Sequence, residues 1–98
     1  MKLLTQDVIT KLPSLYETES VLLNDKVAIV KFFHPAINWT WYGIEYDGLD
    51  TFWGLVDGYE REYGYFSLRE LQTPIGPFQL TAERDQHFSP TTLRDLDL

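Results

Sequence analysis

Residues 39–58 read WTWYGIEYDGLDTFWGLVDG, and this stretch decides the fold. Two runs rich in aromatic and β-branched residues, Trp39–Tyr46 and Thr51–Gly58, flank Asp47-Gly48-Leu49-Asp50. Asp and Gly are residues that turns favour, so the stretch predicts an antiparallel hairpin closed by a four-residue loop. A regular ladder running back from that loop sets Tyr42 opposite Leu55 and Ile44 opposite Trp53 on one side. On the other side Trp41 faces Val56 and Glu45 faces Phe52. Gly43 then falls opposite Gly54. Two opposed glycines leave a dent that one of the protein's own aromatic side chains can fill, or where another ring or backbone can approach.

The flanks extend this hairpin into a sheet. Val27–Phe33 is a β-branched and aromatic run that His34-Pro35 stops, and both its faces are largely apolar, as in a central strand. Tyr59–Tyr63 reads as a charged turn, and Gly64-Tyr65-Phe66 begins a short fourth strand. Phe78–Leu80 is a candidate edge strand. Helix signals lie outside the strand cluster. Thr5 can cap a first helix with Asp7 in its first turn, which Pro13 ends or kinks. Glu17–Asp25 reads as a loop in which Val21, Leu22 and Leu23 form an apolar anchor. Ser67 and Glu70 form a capping box that opens a helical turn through Leu71. Ser89-Pro90 opens a last helical turn, Thr91–Leu96, with Pro90 at its first position. The expected fold is α+β: a small antiparallel β-meander of about four strands with short helices at the N-terminus, after the fourth strand and at the C-terminus.

Composition narrows the function. A chain of 98 residues makes one domain, 1–98, with a small core. Fifteen acids against eight Lys and Arg give a net charge of -7, which disfavours direct binding to a phosphate backbone. The absence of cysteine removes disulfides, thiolate zinc sites and thiol catalysis. MKLLTQDVITKLP has too short an apolar run for a signal peptide, and no window reaches the ~20 apolar residues of a membrane span. The expectation is a cytoplasmic protein with no membrane contact. Twelve of the fifteen aromatic residues lie between Phe32 and Phe66, and no Lys or Arg occurs from Phe32 through Glu60.

A wider pattern runs along the chain: Leu12-Pro13 and Leu15-Tyr16, KFFHP at 31–35, NWTWY at 38–42, EYDG at 45–48, FWGLVDGYEREYGYFSLREL at 52–71, ERD at 83–85 and PTTL at 90–93. It resembles the small mobile-element family known as domain of unknown function 2958, over about Leu4 to Leu93. Members are carried on plasmids, integrative elements and phages. The resemblance implies that genomic setting and supplies no catalytic residue.

The candidate sites divide by chemistry. His34 and His87 are the two histidines, and neither an HExxH motif nor a His pair at helical spacing occurs, so no metal or cofactor is expected. Asp47 and Asp50 lack the further oxygen ligands of a calcium loop and read as turn residues. Ser14, Ser20, Ser67 and Ser89 lie outside any G-x-S-x-G elbow. Glu83, Arg84, Asp85 and His87 could form an acid–base group of a small hydrolase or ligand-binding enzyme, or a salt bridge that pins a loop. Trp39, Trp41, Tyr42 and Trp53 could stack on bases, but the surrounding carboxylates repel phosphate, and an aromatic core is the simpler use of the rings.

Protein binding remains. From Glu45 to Glu62 there are six acids and one base. Exposed tryptophans rimmed by carboxylates have the composition of an interface hot spot, and such a surface attracts a basic partner; a solvated acidic face that keeps the chain soluble is the competing reading. The expected function is that of a non-enzymatic interaction protein of a mobile element. It binds and modulates or inhibits a host nucleic-acid-handling protein, as an anti-CRISPR or anti-restriction factor does. Trp39, Trp41 and Trp53 serve as anchors, and Glu45, Asp47, Asp50, Glu60 and Glu62 supply charge. An accessory factor for plasmid transfer or replication is the alternative.

Overall fold

The computed structural model describes residues 2–98; Met1 lies outside them. Three short helices are present, α1 (Gln6–Lys11), α2 (Leu68–Leu71) and α3 (Leu93–Leu96), with a 3-10 turn at Leu23–Asp25. Seven strands accompany them: β1 (Val27–Ala28), β2 (Val30–Phe33), β3 (Thr40–Tyr46), β4 (Thr51–Asp57), β5 (Arg61–Ser67), β6 (Glu83–Arg84) and β7 (Thr91–Thr92). Five form an antiparallel sheet in the order β5-β4-β3-β2-β6, and β1 pairs with β7 in a second, two-stranded sheet. This is the α+β architecture read from the sequence, with more strands than expected.

The sheet carries a core on each face. On one, Phe52 is fully buried and stacks between Tyr46 (4.4 Å) and Phe66 (5.0 Å), with Phe32 edge-on at 5.6 Å. Leu3, Leu4, Val30, Trp41, Leu71 and Ala82 complete it, and Val8, Ile9 and Leu12 of α1 and its flank cover it. On the other face Ala28, Tyr42, Ile44, Leu55 and Leu93 pack together, with Trp53, Phe88 and Leu96 against them. Large rings exclude water from a thin sheet with few residues, which is why so small a chain holds two cores.

Several expectations change for identifiable reasons. The predicted hairpin register holds from Trp41↔Val56 to Gly43↔Gly54, and then shifts, so that Glu45 lies opposite Trp53 and Tyr46 opposite Phe52. Ile44 is the extra residue of a β-bulge. Regular alternation would have driven Glu45 into the Phe52 face, where its charge has no partner. The bulge delivers Tyr46 there and turns Glu45 to the opposite face. The run Val27–Phe33 divides at Ile29, so that Ala28 joins the second core while Val30 and Phe32 join the first. The expected turn Tyr59–Tyr63 is shorter, because Gly58 N–H closes on Glu60 O at 3.1 Å and β5 starts at Arg61.

The edge position expected for Phe78–Leu80 is taken by β6, which pairs with β2; Leu80 instead turns back to bridge Ile75. Thr92, not Ser89-Pro90, caps the last helix, its hydroxyl accepting Asp95 N–H at 3.1 Å. The Ser67 hydroxyl accepts Glu70 N–H at 2.9 Å as a capping box requires, and Thr5 accepts Val8 N–H at 3.4 Å. Val21, Leu22 and Leu23 are exposed, Leu22 at 75%, so they do not anchor their loop. That role falls to polar groups described below. The dent at Gly43 is occupied by the protein's own Val30 and Phe52: a Cβ there would lie 2.8 Å and 3.1 Å from them.

Candidate functional site

The residues expected to form one surface are spread over four places. Trp39, Glu60 and Glu62 come together. They line a cleft of about 480 Å³ with Tyr59, Glu70 and the β5 segment Tyr63–Phe66. The local sequence explains the cleft. Gly58 lets the Trp39 ring lie flat over the β4–β5 turn, since a Cβ on Gly58 would come within 2.6 Å of that ring. Tyr59, 95% exposed, stands edge-on against Trp39 at 5.4 Å. Gly64 keeps the floor open, since a Cβ there would meet nothing within 4 Å. Strand alternation sends Glu62 to the same face as Phe66. No lysine or arginine lines the cleft, and among the described residues Glu60, Glu62 and Glu70 make no ion pair.

Trp53 and Glu45 lie on the opposite face. They line a second cleft of about 260 Å³ with Tyr16, Glu19, Lys26 and Tyr65. Glu45 is buried, and its carboxylate is fully engaged: it accepts Tyr16 N–H and Thr18 N–H at 2.9 Å each, and the Thr18 hydroxyl as well. Burial alone would push the Glu45 carboxyl up. The Thr18 hydroxyl and amide, the Tyr16 amide and the nearby Lys26 charge outweigh it and hold the carboxyl below the ordinary glutamate value. Lys26 Nζ donates to Thr18 O and sits 5.5 Å over the Trp53 ring. This network is an anchor for the loop after α1. It holds Tyr16 at φ 70, a left-handed conformation that a tyrosine adopts only under constraint.

The remaining predicted residues have structural work. Trp41 is 5% exposed and belongs to the first core, and its Nε1 is a buried donor with no partner among the described residues. Asp47 accepts the amides of Leu49 (2.8 Å), Asp50 (2.8 Å) and Thr51 (3.0 Å), which hold its carboxyl below the ordinary range. Asp50 accepts Arg69 N–H at 2.9 Å and Leu68 N–H on its carbonyl at 2.7 Å, tying the turn to the start of α2. Both act as turn and cap residues.

The segment Glu83–His87 is not assembled as an acid–base group. Arg84 donates to the Lys2 and Leu3 carbonyls at 2.9 and 3.1 Å instead of pairing with Asp85. Asp85 lies 3.8 Å from Lys31 and accepts the His87 backbone N–H at 2.9 Å. Glu83 sits in β6 and the His87 side chain is on the exposed turn beyond it. Among the described residues no group of three or more His, Asp or Glu could hold a metal ion.

Sequence reasoning missed Tyr59 and Glu70. Tyr59 carried a signal, as an aromatic residue inside a charged turn. Glu70 was assigned to the capping box, but among the described residues only the Ser67 half of that box is formed. The Glu70 carboxylate is thereby left to the cleft. No helix among the described residues is long and apolar enough to cross a membrane. No curated protein and no solved structure matches the chain. A family model described as "Protein of unknown function (DUF2958)" matches residues 3–94 of the 98, and the chain belongs to that family.

Proposed function

We propose that this protein is a non-enzymatic interaction protein of a mobile element that acts in the cytoplasm. In this reading it binds a host nucleic-acid-handling protein through that protein's basic surface, and modulates or inhibits it in the manner of an anti-CRISPR or anti-restriction factor. The observation that carries the reading is the Trp39–Tyr59 cleft, whose three carboxylates have, among the described residues, neither an ion-pair partner nor a structural hydrogen bond. Trp39 is half-buried against the first core and Tyr59 is exposed, and unpaired acids beside such rings attract basic partners and supply anchors once contact is made. The same acids disfavour phosphate, so a nucleic acid itself is a poor ligand.

The test is capture from host lysate on the immobilised protein, compared with Glu60→Gln, Glu62→Gln, Glu70→Gln combined. Glu45, Asp47 and Asp50 are left intact, because they hold loops and caps. The expected result is retention of a basic nucleic-acid-handling protein by the wild type and its loss in the triple variant. Retention of no basic protein by the wild type sinks the reading.

A further inference from the structure

β5 is the last strand of the five-stranded sheet, and its outer edge carries no strand among the described residues. Along its seven residues, alternate N–H and C=O groups point away from β4 and form a template for an added strand, and natural edges of this length are normally blocked by charge, proline or a covering element. Here Arg61 and Glu62 guard only the first two positions, and Arg61 is drawn toward Asp57 at 3.9 Å. Tyr63-Gly64-Tyr65-Phe66 offers neither charge nor proline. The aromatic and acidic cleft lies along this same strand.

The two faces of the edge differ. On the cleft face stand Glu62, the open floor at Gly64, the Trp39 and Tyr59 rings, and Glu60 and Glu70. On the opposite face Tyr63 and Tyr65 are 44% and 56% exposed, next to Trp53, which stacks with Tyr63 at 6.1 Å. An added strand points alternate side chains to the two faces. One set therefore meets rings plus three unpaired carboxylates, and the other meets an aromatic ledge. Rings beside carboxylates suit a guanidinium, which stacks flat on an aromatic face and donates to carboxylates in a fork.

We propose that β5 and its cleft bind one extended segment of a basic partner, which adds as a sixth strand and seats an arginine side chain against Trp39, Tyr59 and the carboxylates of Glu60, Glu62 and Glu70. The segment alternates arginine on the cleft face with aliphatic residues on the tyrosine face. This inference rests on the interaction reading above and names its surface and the chemistry of its partner.

The probe is an acetylated, amidated heptapeptide alternating arginine and valine, titrated into the full chain by calorimetry. One-to-one saturable binding is expected. Gly64→Leu fills the cleft floor at a position with free space and no positive φ, and it should weaken binding by about tenfold or more. The Glu60→Gln, Glu62→Gln, Glu70→Gln triple variant changes only exposed side chains and should weaken it similarly. N-methylating alternate peptide amides in the register that faces β5 should abolish binding, and the other register should tolerate it. Replacing arginine by citrulline should abolish it too.

Equal effects of the two N-methyl registers, or full affinity in Gly64→Leu, would reduce the contact to diffuse charge attraction and overturn the inference. Dimerisation of the free chain through β5, detected by sedimentation and lost in Gly64→Leu, would assign the edge to a second copy and overturn it as well. If lysate capture of a basic protein persists in Gly64→Leu, the interaction reading stands and only this surface falls. If the wild type captures no basic protein, the interaction reading itself falls.

Discussion

The Glu45 carboxylate accepts both the Tyr16 and the Thr18 backbone N–H, each at 2.9 Å, and so fastens the loop after α1 to the middle of the sheet. The β-bulge at Ile44 makes this possible by turning Glu45 away from the Phe52 face. A carboxylate that replaces water with three donors is stabilised as an anion, and each donor is satisfied in return.

Glu45→Gln keeps an acceptor but loses the charge that balances Lys26 and strengthens these bonds. We expect a loss of about 1.5–3 kcal/mol in urea unfolding. The pH dependence has a definite sign. The folded carboxyl lies below the ordinary glutamate value, so between the two values the unfolded chain binds more protons and stability rises with pH. This contribution is complete above the unfolded value of about 4.3 and is lost as pH falls through the lower folded value. Asp47, also lowered, adds a slope of the same sign. Thermal unfolding of the wild type and Glu45→Gln from pH 3 to 7 should show curves that converge at the acid end; a constant gap would exclude this account.

Gly54 and Gly64 are paired across β4 and β5 yet should respond oppositely to alanine. A Cβ on Gly54 would lie 1.9 Å from the Tyr42 carbonyl oxygen, so the β3–β4 ladder must part. Gly54→Ala should fail to fold or lose more than about 3 kcal/mol. Gly64→Ala meets nothing and should be neutral or gain about 0.4–1 kcal/mol by restricting the unfolded chain. Denaturant midpoints of the two variants decide; a marked loss in Gly64→Ala would show that the cleft floor is occupied.

The Trp41 indole N–H is a buried donor without a partner among the described residues, a standing cost of about 1–3 kcal/mol. Trp41→Phe removes that cost while losing ring contacts of comparable worth. Its stability should therefore stay within about 1 kcal/mol of the wild type, unlike an ordinary large-to-small core change. A drop beyond about 3 kcal/mol would mean that the indole N–H is satisfied.

His34 should be found with its ring proton on Nε2. Its Nδ1 accepts Ala36 N–H at 3.0 Å, so the ring proton sits on Nε2, which donates to Leu80 O at 3.2 Å. Nitrogen-15 shifts of the ring at neutral pH should show protonated Nε2 and bare Nδ1. The reverse tautomer would require the Ala36 turn to be differently built.

Local chemistry was legible along the chain. Alternation and turn residues located β3, β4 and the Asp47 turn. Small polar residues before apolar runs located the Thr5 and Ser67 caps. The resemblance of quoted motifs located the family. Trp39, Glu60 and Glu62 were expected on one surface with Trp41, Glu45, Asp47, Asp50 and Trp53, and of that set only these three share the cleft. Glu45 was legible only as an acid, since a bulge is a one-residue event chosen by what lies on each face and leaves no periodic trace. The same holds for the division at Ile29 and for the choice of β6 over Phe78–Leu80 at the sheet edge.

The sequence by itself determined the α+β class, the aromatic hairpin and the acidic excess, because these depend on composition and on contacts a few residues apart. Only the tertiary structure decided which aromatics and acids are used for stability and which are left free. Trp41 is spent in the core, Glu45 on a distant loop, and Asp47 and Asp50 on backbone amides. Trp39, Tyr59, Glu60, Glu62 and Glu70 remain along an open strand edge. The physical reason is burial: a side chain's environment is set by packing between elements far apart in the chain, and sequence spacing does not encode it.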